Sequence, residues 1–222
     1  MKIMLWGGRS KARVIIDMIS EIYGTKAEIV GVFDKTLDKL SFETNIKHYS
    51  NKSEFELLCA NSTHFVVCIG AEHGFARYKT GENLKAKGLL AVDVVSKYGL
   101  LDKLDRCGEG IQVMPGAIAH KFTSLGHQCI LNTNSSVDHE CCLGNGVHVM
   151  GGASIAGQVE VGDYSTIGTN ATILPKLKIG SNVFVGAGAV VTENIEDNLV
   201  VAGVPAKPIN QFTPTFDTSI FY

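Results

Sequence analysis

Several features that assign a sequence quickly to a common class of protein are missing from this one. No apolar run approaches the roughly 20 residues that a membrane-spanning helix needs, and the apolar N-terminus is broken by Gly7-Gly8 too early for a signal peptide. The charges nearly balance, with 20 Lys+Arg against 22 Asp+Glu, so neither nucleic acid nor an anionic membrane is an expected partner. Any anionic ligand must therefore be held by local groups.

The cysteines lack the spacing of a metal or redox motif. There are six, no two of them form a CxxC pair, and several lie within apolar runs: Cys59, Cys68, Cys107, Cys129, Cys141 and Cys142. Thiols in such surroundings are typically buried and reduced. We therefore expect a cytoplasmic protein.

The second half of the chain contains aliphatic residues spaced six apart. The register holds over fourteen positions with one alanine: Val113, Ala119, Leu125, Leu131, Val137, Leu143, Val149, Ile155, Val161, Ile167, Ile173, Ile179, Val185 and Val191. This hexapeptide repeat predicts a parallel β-helix in which each hexad gives one short strand and a turn. Because three hexads complete a coil, residues eighteen apart stack, and Gly126, Gly144, Gly162 and Gly180 form a column where turns or close backbone contacts need glycine.

The first hundred residues alternate strand and helix patterns instead. Strands are expected at 2–8, 29–33 and 64–69, and helices at 10–22 (capped by Ser10), 54–59 and 74–87. Such alternation predicts a parallel sheet with crossover helices, a Rossmann-like βαβ arrangement. We therefore place an α/β domain at residues 1–104 and the β-helix, with a C-terminal tail, at residues 105–222.

Ligands of open α/β sheets bind at the carboxyl ends of the strands. These ends are Gly7-Gly8-Arg9-Ser10-Lys11, Asp34-Lys35 and Gly70. The first can present backbone amides, a helix N-terminus and two cations to a phosphate. A plain strand-to-helix turn is the alternative, because the spacing is not GxGxxG, and Asp34 is equally well interpreted as a turn residue or as an acceptor for a base or ribose.

His139 and Glu140 follow an inward aliphatic position, where the β-helix turns outward. An imidazole can take a proton near neutral pH, and a neighbouring carboxylate fixes its tautomer. Acylation of an amine or hydroxyl by a thioester requires such a base. Gly157 is eighteen residues further on, and its N–H can stabilise an oxyanion. The alternative is a surface histidine on a turn.

Three other histidines of the repeat region raise the possibility of a zinc site: His120, His127 and His148. No two of them are eighteen apart, so none stack, and we expect no metal. His148 is assigned to the cofactor groove beside His139, with a structural role as the alternative.

Two segments, NTNSSVDHECCLG at residues 132–144 and VAGVPAK at residues 201–207, together with the coils between them, resemble the sugar O- and N-acetyltransferases of the sialic-acid O-acetyltransferase type. The nearest resemblance is to members that acetylate nucleotide-linked 4-amino-sugars, and it extends over about residues 2 to 209. It implies a left-handed β-helix that binds acetyl-CoA, an N-terminal domain that binds the nucleotide-sugar, and a homotrimer with interfacial active sites.

The resemblance also implies roles for single residues. It makes His139 the general base, Glu140 its orienting carboxylate and Asn132 a neighbour of the acceptor sugar. The Gly157 amide faces the thioester carbonyl, and the CoA adenine and phosphates lie near three residues of the C-terminal motif: Gly203, Pro205 and Lys207.

This sequence departs from the family pattern in the N-terminal loop. Gly7-Gly8-Arg9-Ser10-Lys11-Ala12 stands where members commonly have Gly-x-x-Gly-His-Gly, and Asp34-Lys35 stands where many have Asp-Asp. Both changes affect the nucleotide-sugar site, so acetyl transfer is expected but the exact acceptor is open. The tail from Gln211 to Tyr222 extends past the usual end and has no assigned role.

The leading hypothesis is an N-acetyltransferase acting on the 4-amino group of a nucleotide-linked 4-amino-4,6-dideoxyhexose, with dTDP, UDP or GDP as the nucleotide and no covalent acyl-enzyme. The product would be used in the synthesis of a surface polysaccharide or a glycoprotein glycan. A sugar O-acetyltransferase of the sialic-acid type is the near alternative. A metal-dependent hydratase and a non-catalytic, nucleotide-binding trimeric scaffold are the others.

Overall fold

The computed structural model describes residues 1–217 and 219–221 and, within them, three α-helices and 24 strands. Five strands form an N-terminal parallel sheet in the order β3-β2-β1-β4-β5. They are β1 (Lys2–Trp6), β2 (Glu28–Phe33), β3 (His48–Tyr49), β4 (His64–Val67) and β5 (Leu90–Ala91). The helices are α1 (Ser10–Tyr23), α2 (Lys52–Ala60) and α3 (Gly74–Ala86), and none of the described helices is long and apolar enough to cross a membrane.

The N-terminus of α2 is capped by side chains, whereas that of α1 is not. Asn51 and Glu54 form a reciprocal capping box that starts α2, so two otherwise unpaired backbone N–H groups are satisfied. The prediction that Ser10 caps α1 is wrong: Arg9 occupies the cap position, Ser10 is the first helical residue, and no side chain caps this end. The N–H groups at the start of α1 are thus left for another acceptor.

Nineteen strands follow from β6 onward among the described residues. Eighteen of them build a parallel β-helix with three faces, and β24 extends one face antiparallel to β23. The six-stranded face has β7 (Leu100–Leu101), β10 (Ile118–Ala119), β13 (Ser136–Val137), β16 (Ser154–Ile155), β19 (Thr172–Ile173) and β22 (Val190–Val191). The five-stranded face has β8 (Arg106–Cys107), β11 (Ser124–Leu125), β14 (Cys142–Leu143), β17 (Glu160–Val161) and β20 (Lys178–Ile179). The eight-stranded face has β6 (Val94–Val95), β9 (Gln112–Val113), β12 (Ile130–Leu131), β15 (His148–Val149), β18 (Thr166–Ile167), β21 (Phe184–Val185), β23 (Leu199–Ala202) and β24 (Lys207–Gln211).

Neighbouring strands from β6 to β22 pair residues eighteen apart on each face, as Ile130 with His148 and Val137 with Ile155, whereas β21 and β23 pair residues sixteen apart. All fourteen positions of the hexad register lie in one core and are at most 3% exposed. Burying an aliphatic side chain of this size contributes roughly 1.5–3 kcal/mol, so the register residues supply the main stabilisation of the β-helix. The predicted parallel β-helix and the Rossmann-like parallel sheet are both present.

The β-helix starts earlier than the sequence analysis placed it. β6 pairs with β9, β7 with β10 and β8 with β11, so the first coil begins at Val94 rather than at residue 105. Three further steps of six before Val113 reach Cys107, Leu101 and Val95. The register therefore extends through the predicted boundary, but a cysteine and intervening polar residues obscured it.

The glycine column serves close packing rather than turn geometry. A Cβ placed on Gly126 would lie 2.5 Å from the carbonyl carbon of Gly144, and neither residue has a positive φ. The left-handed turn position comes two residues later and recurs every six residues; it is occupied by non-glycine residues such as Gln128 (φ 57°) and Glu140 (φ 58°). Glycine is thus needed where coils touch.

Candidate active site

His139 lies at the corner where the six-stranded face ends and the five-stranded face begins. It follows β13 by two residues, its N–H donates to the Asp138 carboxylate at 2.7 Å, and its side chain is about half exposed (47%). The hexad turn therefore presents the imidazole on an outer edge of the β-helix, as the sequence predicted.

The Glu140 carboxylate contacts the imidazole. Glu140 occupies the left-handed turn position, and its Oε2 lies 2.9 Å from His139 Nδ1 and accepts a 3.2 Å hydrogen bond from Gln158 Nε2. The hydrogen bond with His139 is the main cause that lowers the pKa of Glu140, followed by the bond from Gln158. A carboxylate at Nδ1 favours the tautomer with its proton on that nitrogen, which leaves the Nε2 lone pair free.

Gly157 lies directly against this free nitrogen. A Cβ at Gly157 would be 2.6 Å from His139 Nε2, and the next residue, Gln158, donates its N–H to the His139 carbonyl at 2.9 Å. Among the described residues, the Gly157 N–H donates to no hydrogen-bond acceptor. The coil that stacks on His139 thus supplies a backbone donor that a ligand can use.

The same edge leads from His139 to the C-terminal motif. Glu193 follows β22 as His139 follows β13, three coils away, which corresponds to about 14 Å at the spacing of neighbouring strands. Lys207 Nζ is 3.4 Å from the Glu193 carboxylate. The loop between Gly203 and Lys207 contains Pro205 and is fastened to β22, because Val190 donates to the Gly203 carbonyl and accepts from Ala206.

A separate cavity of about 540 Å³ opens at the carboxyl ends of β1, β2 and β4. Six of the eight residues predicted to bind the nucleotide-sugar line it: Arg9, Ser10, Lys11, Asp34, Lys35 and Gly70. Gly8 does not, since a Cβ there would meet Leu40 and Leu37 instead. The predicted carboxyl-end site is therefore a real concavity.

Asn132 also lies away from the cavity lining. Its amide nitrogen is 3.5 Å from His148 Nε2, and its Oδ1 accepts from the Thr133 N–H at 2.8 Å. It contacts the cavity only through His148, whose Nδ1 is 3.0 Å from the Ala71 carbonyl at the cavity wall.

Asp34 has the contacts of a turn residue although it lines the cavity. Its Oδ2 accepts from the Gly8 N–H at 2.8 Å, and its Oδ1 accepts from the N–H and hydroxyl of Thr36 at 2.9 and 2.7 Å. These bonds tie the end of β2 to the end of β1. These contacts agree with the interpretation of Asp34 as a turn residue. Because the Gly8 N–H donates to Asp34, it is not available to a phosphate.

One cation lines the cavity and a second lies behind the lining. Lys11 is a lining residue, whereas the fully buried Arg77 donates to the carbonyl of the lining residue Ile69 at 3.1 Å. Burial lowers the pKa of Arg77 to about 10, and burial followed by Arg77 lowers that of Lys11 to about 8. Burial, Arg77 and Lys11 lower the pKa of His148 to about 3, so this imidazole is neutral. The positive charge beside the cavity favours an anionic ligand.

Other polar groups at the cavity were not found from the sequence. The hydroxyl of Thr80, fully buried in α3, has no hydrogen-bond partner among the described residues and lines the cavity. Arg77, one turn earlier, was also missed. The segment 74–87 was recognised as a helix, but which of its faces meets the sheet ends was not evident, because apolar spacing is weak there.

His148 lies at the junction of the domains, on the eight-stranded face and 2% exposed, rather than in a groove beside His139. The structural alternative describes its contacts. His120 is 3.7 Å from the Asp138 carboxylate, and His127 Nδ1 accepts from the Glu109 N–H at 3.1 Å. Within residues 1–217 and 219–221, no three His, Cys, Asp or Glu side chains are grouped so as to hold a metal ion.

Comparison with known proteins gives matches at the level of repeats and structure. Residues 143–175 and 159–193 match the family described as "Bacterial transferase hexapeptide (six repeats)". Sequence comparison with curated proteins gives no match.

Solved structures match over nearly the whole chain. A mutant of perosamine N-acetyltransferase from Caulobacter crescentus, in complex with CoA and GDP-perosamine, is 25% identical with a TM-score of 0.83; 95% of this chain and 98% of that chain are covered. The acetyltransferase domain of PglB from Neisseria gonorrhoeae, in complex with acetyl coenzyme A, is 26% identical with a TM-score of 0.80; 94% and 98% are covered. WeeI from Acinetobacter baumannii, 24% identical with a TM-score of 0.81 and coverage of 94% and 100%, supports the fold alone.

These matches confirm the fold, an α/β domain followed by a left-handed parallel β-helix, and the resemblance to sugar acetyltransferases.

Proposed function

We propose that this chain, a hexapeptide-repeat sugar acetyltransferase, transfers the acetyl group of acetyl-CoA to the 4-amino group of a nucleotide-linked 4-amino-4,6-dideoxyhexose. The observation that carries the proposal is the pairing of His139 with Glu140, with Nε2 free and facing Gly157. Structural neighbours bind CoA or acetyl-CoA, and one is bound to GDP-perosamine. The acetyl donor is therefore acetyl-CoA, and a nucleotide-sugar is the class of acceptor that the cavity suits.

The reaction proceeds by direct attack. The sugar amine adds to the thioester carbonyl while His139 Nε2 removes its proton, and the Glu140 carboxylate stabilises the resulting imidazolium. The Gly157 N–H donates to the oxyanion of the tetrahedral intermediate. When this intermediate collapses, the C–S bond breaks, and the imidazolium returns the proton to the CoA thiolate. The products are the amide and free CoA thiol.

The edge between His139 and Lys207 is the proposed course of acetyl-CoA. An extended pantetheine arm that starts at the His139 corner and runs along about 14 Å of stacked coils reaches the loop at 203–207. Lys207 then supplies a cation for the CoA phosphates, while Gly203 and Pro205 border the adenine. When no CoA is bound, Lys207 pairs instead with the exposed carboxylate of Glu193.

The cavity of the α/β domain is the proposed site of the nucleotide. The first N–H groups of α1 have no capping side chain, and Arg9 and Lys11 lie at this end of the helix. A helix N-terminus with two cations favours a pyrophosphate. The hydroxyl of Thr80 offers a further hydrogen bond to the ligand. The replacement of the family's histidine by Lys11 thus strengthens the phosphate site in this chain.

We further propose that the protein works as a homotrimer. The outward positions of the six-stranded face are apolar or small, as in Leu100, Ile118, Ser136 and Ser154, and the large ones are 39–50% exposed. Because this face ends at the His139 corner, a second subunit packed on it would cover the exposed base. Sedimentation is expected to give a trimer, since closed rings bury equivalent faces. A monomer would contradict an interfacial active site.

Free-thiol release from acetyl-CoA tests the reaction and the acceptor together. We expect purified protein to release thiol with one member of a panel of UDP-, dTDP- and GDP-linked 4-amino-4,6-dideoxyhexoses. The matched control is the corresponding 4-hydroxy sugar on the same nucleotide. Release with the hydroxyl compound but not the amine would indicate an O-acetyltransferase. No release with any member, from protein of the expected mass, would contradict the proposal and favour a non-catalytic scaffold.

A further inference from the structure

The C-terminal segment after β24, here called the tail (212–217 and 219–221), is anchored on the α/β domain. The Phe221 ring stacks on Trp6, with ring centres 4.9 Å apart and planes 9° from parallel, and meets Phe55 edge-on at 5.7 Å. Ile220 is 6% exposed and belongs to the core that contains Phe55. After β24, the chain therefore returns to the N-terminal sheet.

Between this anchor and β24, the tail passes over the cavity that we assign to the nucleotide. Phe216 and Asp217 form part of the cavity wall. The Asp217 carboxylate pairs with the Lys35 ammonium, which also donates to the Ser219 hydroxyl at 3.0 Å. The bond from Lys35 is the main cause that lowers the pKa of Asp217. Lys35, predicted to bind substrate, thus binds the tail.

The aromatic side chains at the cavity differ in how closely they are packed by other rings. Trp6 is packed against Phe33 at 4.7 Å as well as Phe55 and Phe221. Phe216 contacts Phe75 edge-on at 6.3 Å and Phe221 at 6.2 Å with ring planes 39° apart, and it remains partly exposed at the wall. The wall of one cavity thus contains both this partly exposed ring and, at the start of α1, Arg9 and Lys11. A nucleotide needs both, a stacking surface for its base and cations for its phosphates.

We propose that the tail is part of the nucleotide-sugar site, with the Phe216 ring stacked on the nucleobase and the Asp217–Lys35 pair closing the rim beside it. The inference rests on the proposed function, because it takes the cavity to hold a nucleotide. It gives the tail, which extends past the usual end of the resembling family, a part in substrate binding.

Nucleotide affinity, measured without turnover, tests this role. Trp6 is the single tryptophan of the chain and lies at the cavity, so its fluorescence can be titrated with UDP, dTDP and GDP. For the nucleotide that binds, we expect Phe216→Ala to raise Kd by about tenfold, within the range reported for base–aromatic stacking. A chain ending at Gln211 should lose at least as much, while the KM for acetyl-CoA stays within about twofold.

Phe212→Ala is the matched control. It removes the same ring from the same segment, but Phe212 lies outside this cavity, in a small hollow with Glu72 and Phe75. Unchanged nucleotide affinity in Phe216→Ala and in the truncated chain would overturn the inference, as would tighter binding, which would mean that the tail competes with the nucleotide. In either case acetyl transfer to a nucleotide-sugar would persist. If the unmodified protein itself transfers no acetyl group to a nucleotide-sugar, the proposed function is contradicted instead.

Discussion

Replacing His139 by alanine is expected to lower kcat for acetyl transfer by about 10²- to 10⁴-fold, the usual contribution of a positioned general base. The imidazole is half exposed on a turn, so its loss leaves the core of the β-helix intact. The KM values for both substrates should change much less than kcat, because a general base acts in the transition state and contributes little to the binding of the ground state. Steady-state kinetics of thiol release, with circular dichroism to verify folding, provide the measurement.

Two neighbouring variants separate a base from a residue that only shapes the site. Gly157→Ala retains His139 but places a Cβ 2.6 Å from where Nε2 lies, so the ring must move and kcat should fall while the fold is unchanged. Glu140→Gln retains the hydrogen bond but removes the charge, so its loss should be smaller than that of His139→Ala. A rate for His139→Ala equal to that of the unmodified enzyme would remove His139 as the base.

Replacing Arg77 by alanine is expected to destabilise the protein by about 3 kcal/mol or more. Its guanidinium donates to three backbone carbonyls from separate parts of the chain, those of Ile69, Gln128 and Gly146, at 3.1, 2.8 and 2.6 Å. Removal leaves buried acceptors unpaired and a cavity between α3 and the β-helix, and each such defect costs about 1–3 kcal/mol. Urea unfolding at fixed protein concentration measures the loss.

Arg13→Ala is the control for Arg77, because Arg13 is exposed on α1 and its loss should change the free energy of unfolding by less than about 0.5 kcal/mol. Arg77→Lys keeps a positive charge but cannot reach three carbonyls at once, so it should remain destabilised. A stability equal to that of the unmodified protein in Arg77→Ala would show that water replaces the guanidinium at the domain junction.

The hexad register could be predicted from the sequence because a β-helix repeats one local interaction. Every sixth residue meets the same apolar interior, so the pattern is visible without knowledge of any distant contact. The His139 corner followed from that register, since the turn after each strand directs side chains outward. The proximity of Gly157 to His139 followed from the same arithmetic of eighteen residues per coil.

The first coil and the helix cap were harder to predict. Cys107, six residues before Val113, is exposed and not aliphatic, so the apolar pattern ends at Val113 although strands continue back to Val94. At the start of α1, the residue type favoured Ser10 as a cap, but the chain leaves β1 in a direction that puts Ser10 inside the first turn. Both errors concern single residues that local pattern does not constrain.

Features that depend on repetition and on neighbours in the chain can be predicted from the residues alone: the β-helix, its outward-facing histidine, and the alternation that builds the parallel sheet. The places where distant segments meet become known only from the three-dimensional packing. Arg77 joins α3 to two coils, Asn132 lies behind His148 instead of in the cavity, and the tail reaches Trp6 across the length of the chain. Such contacts join residues far apart in sequence, so they cannot be predicted from a local period or from residue propensities.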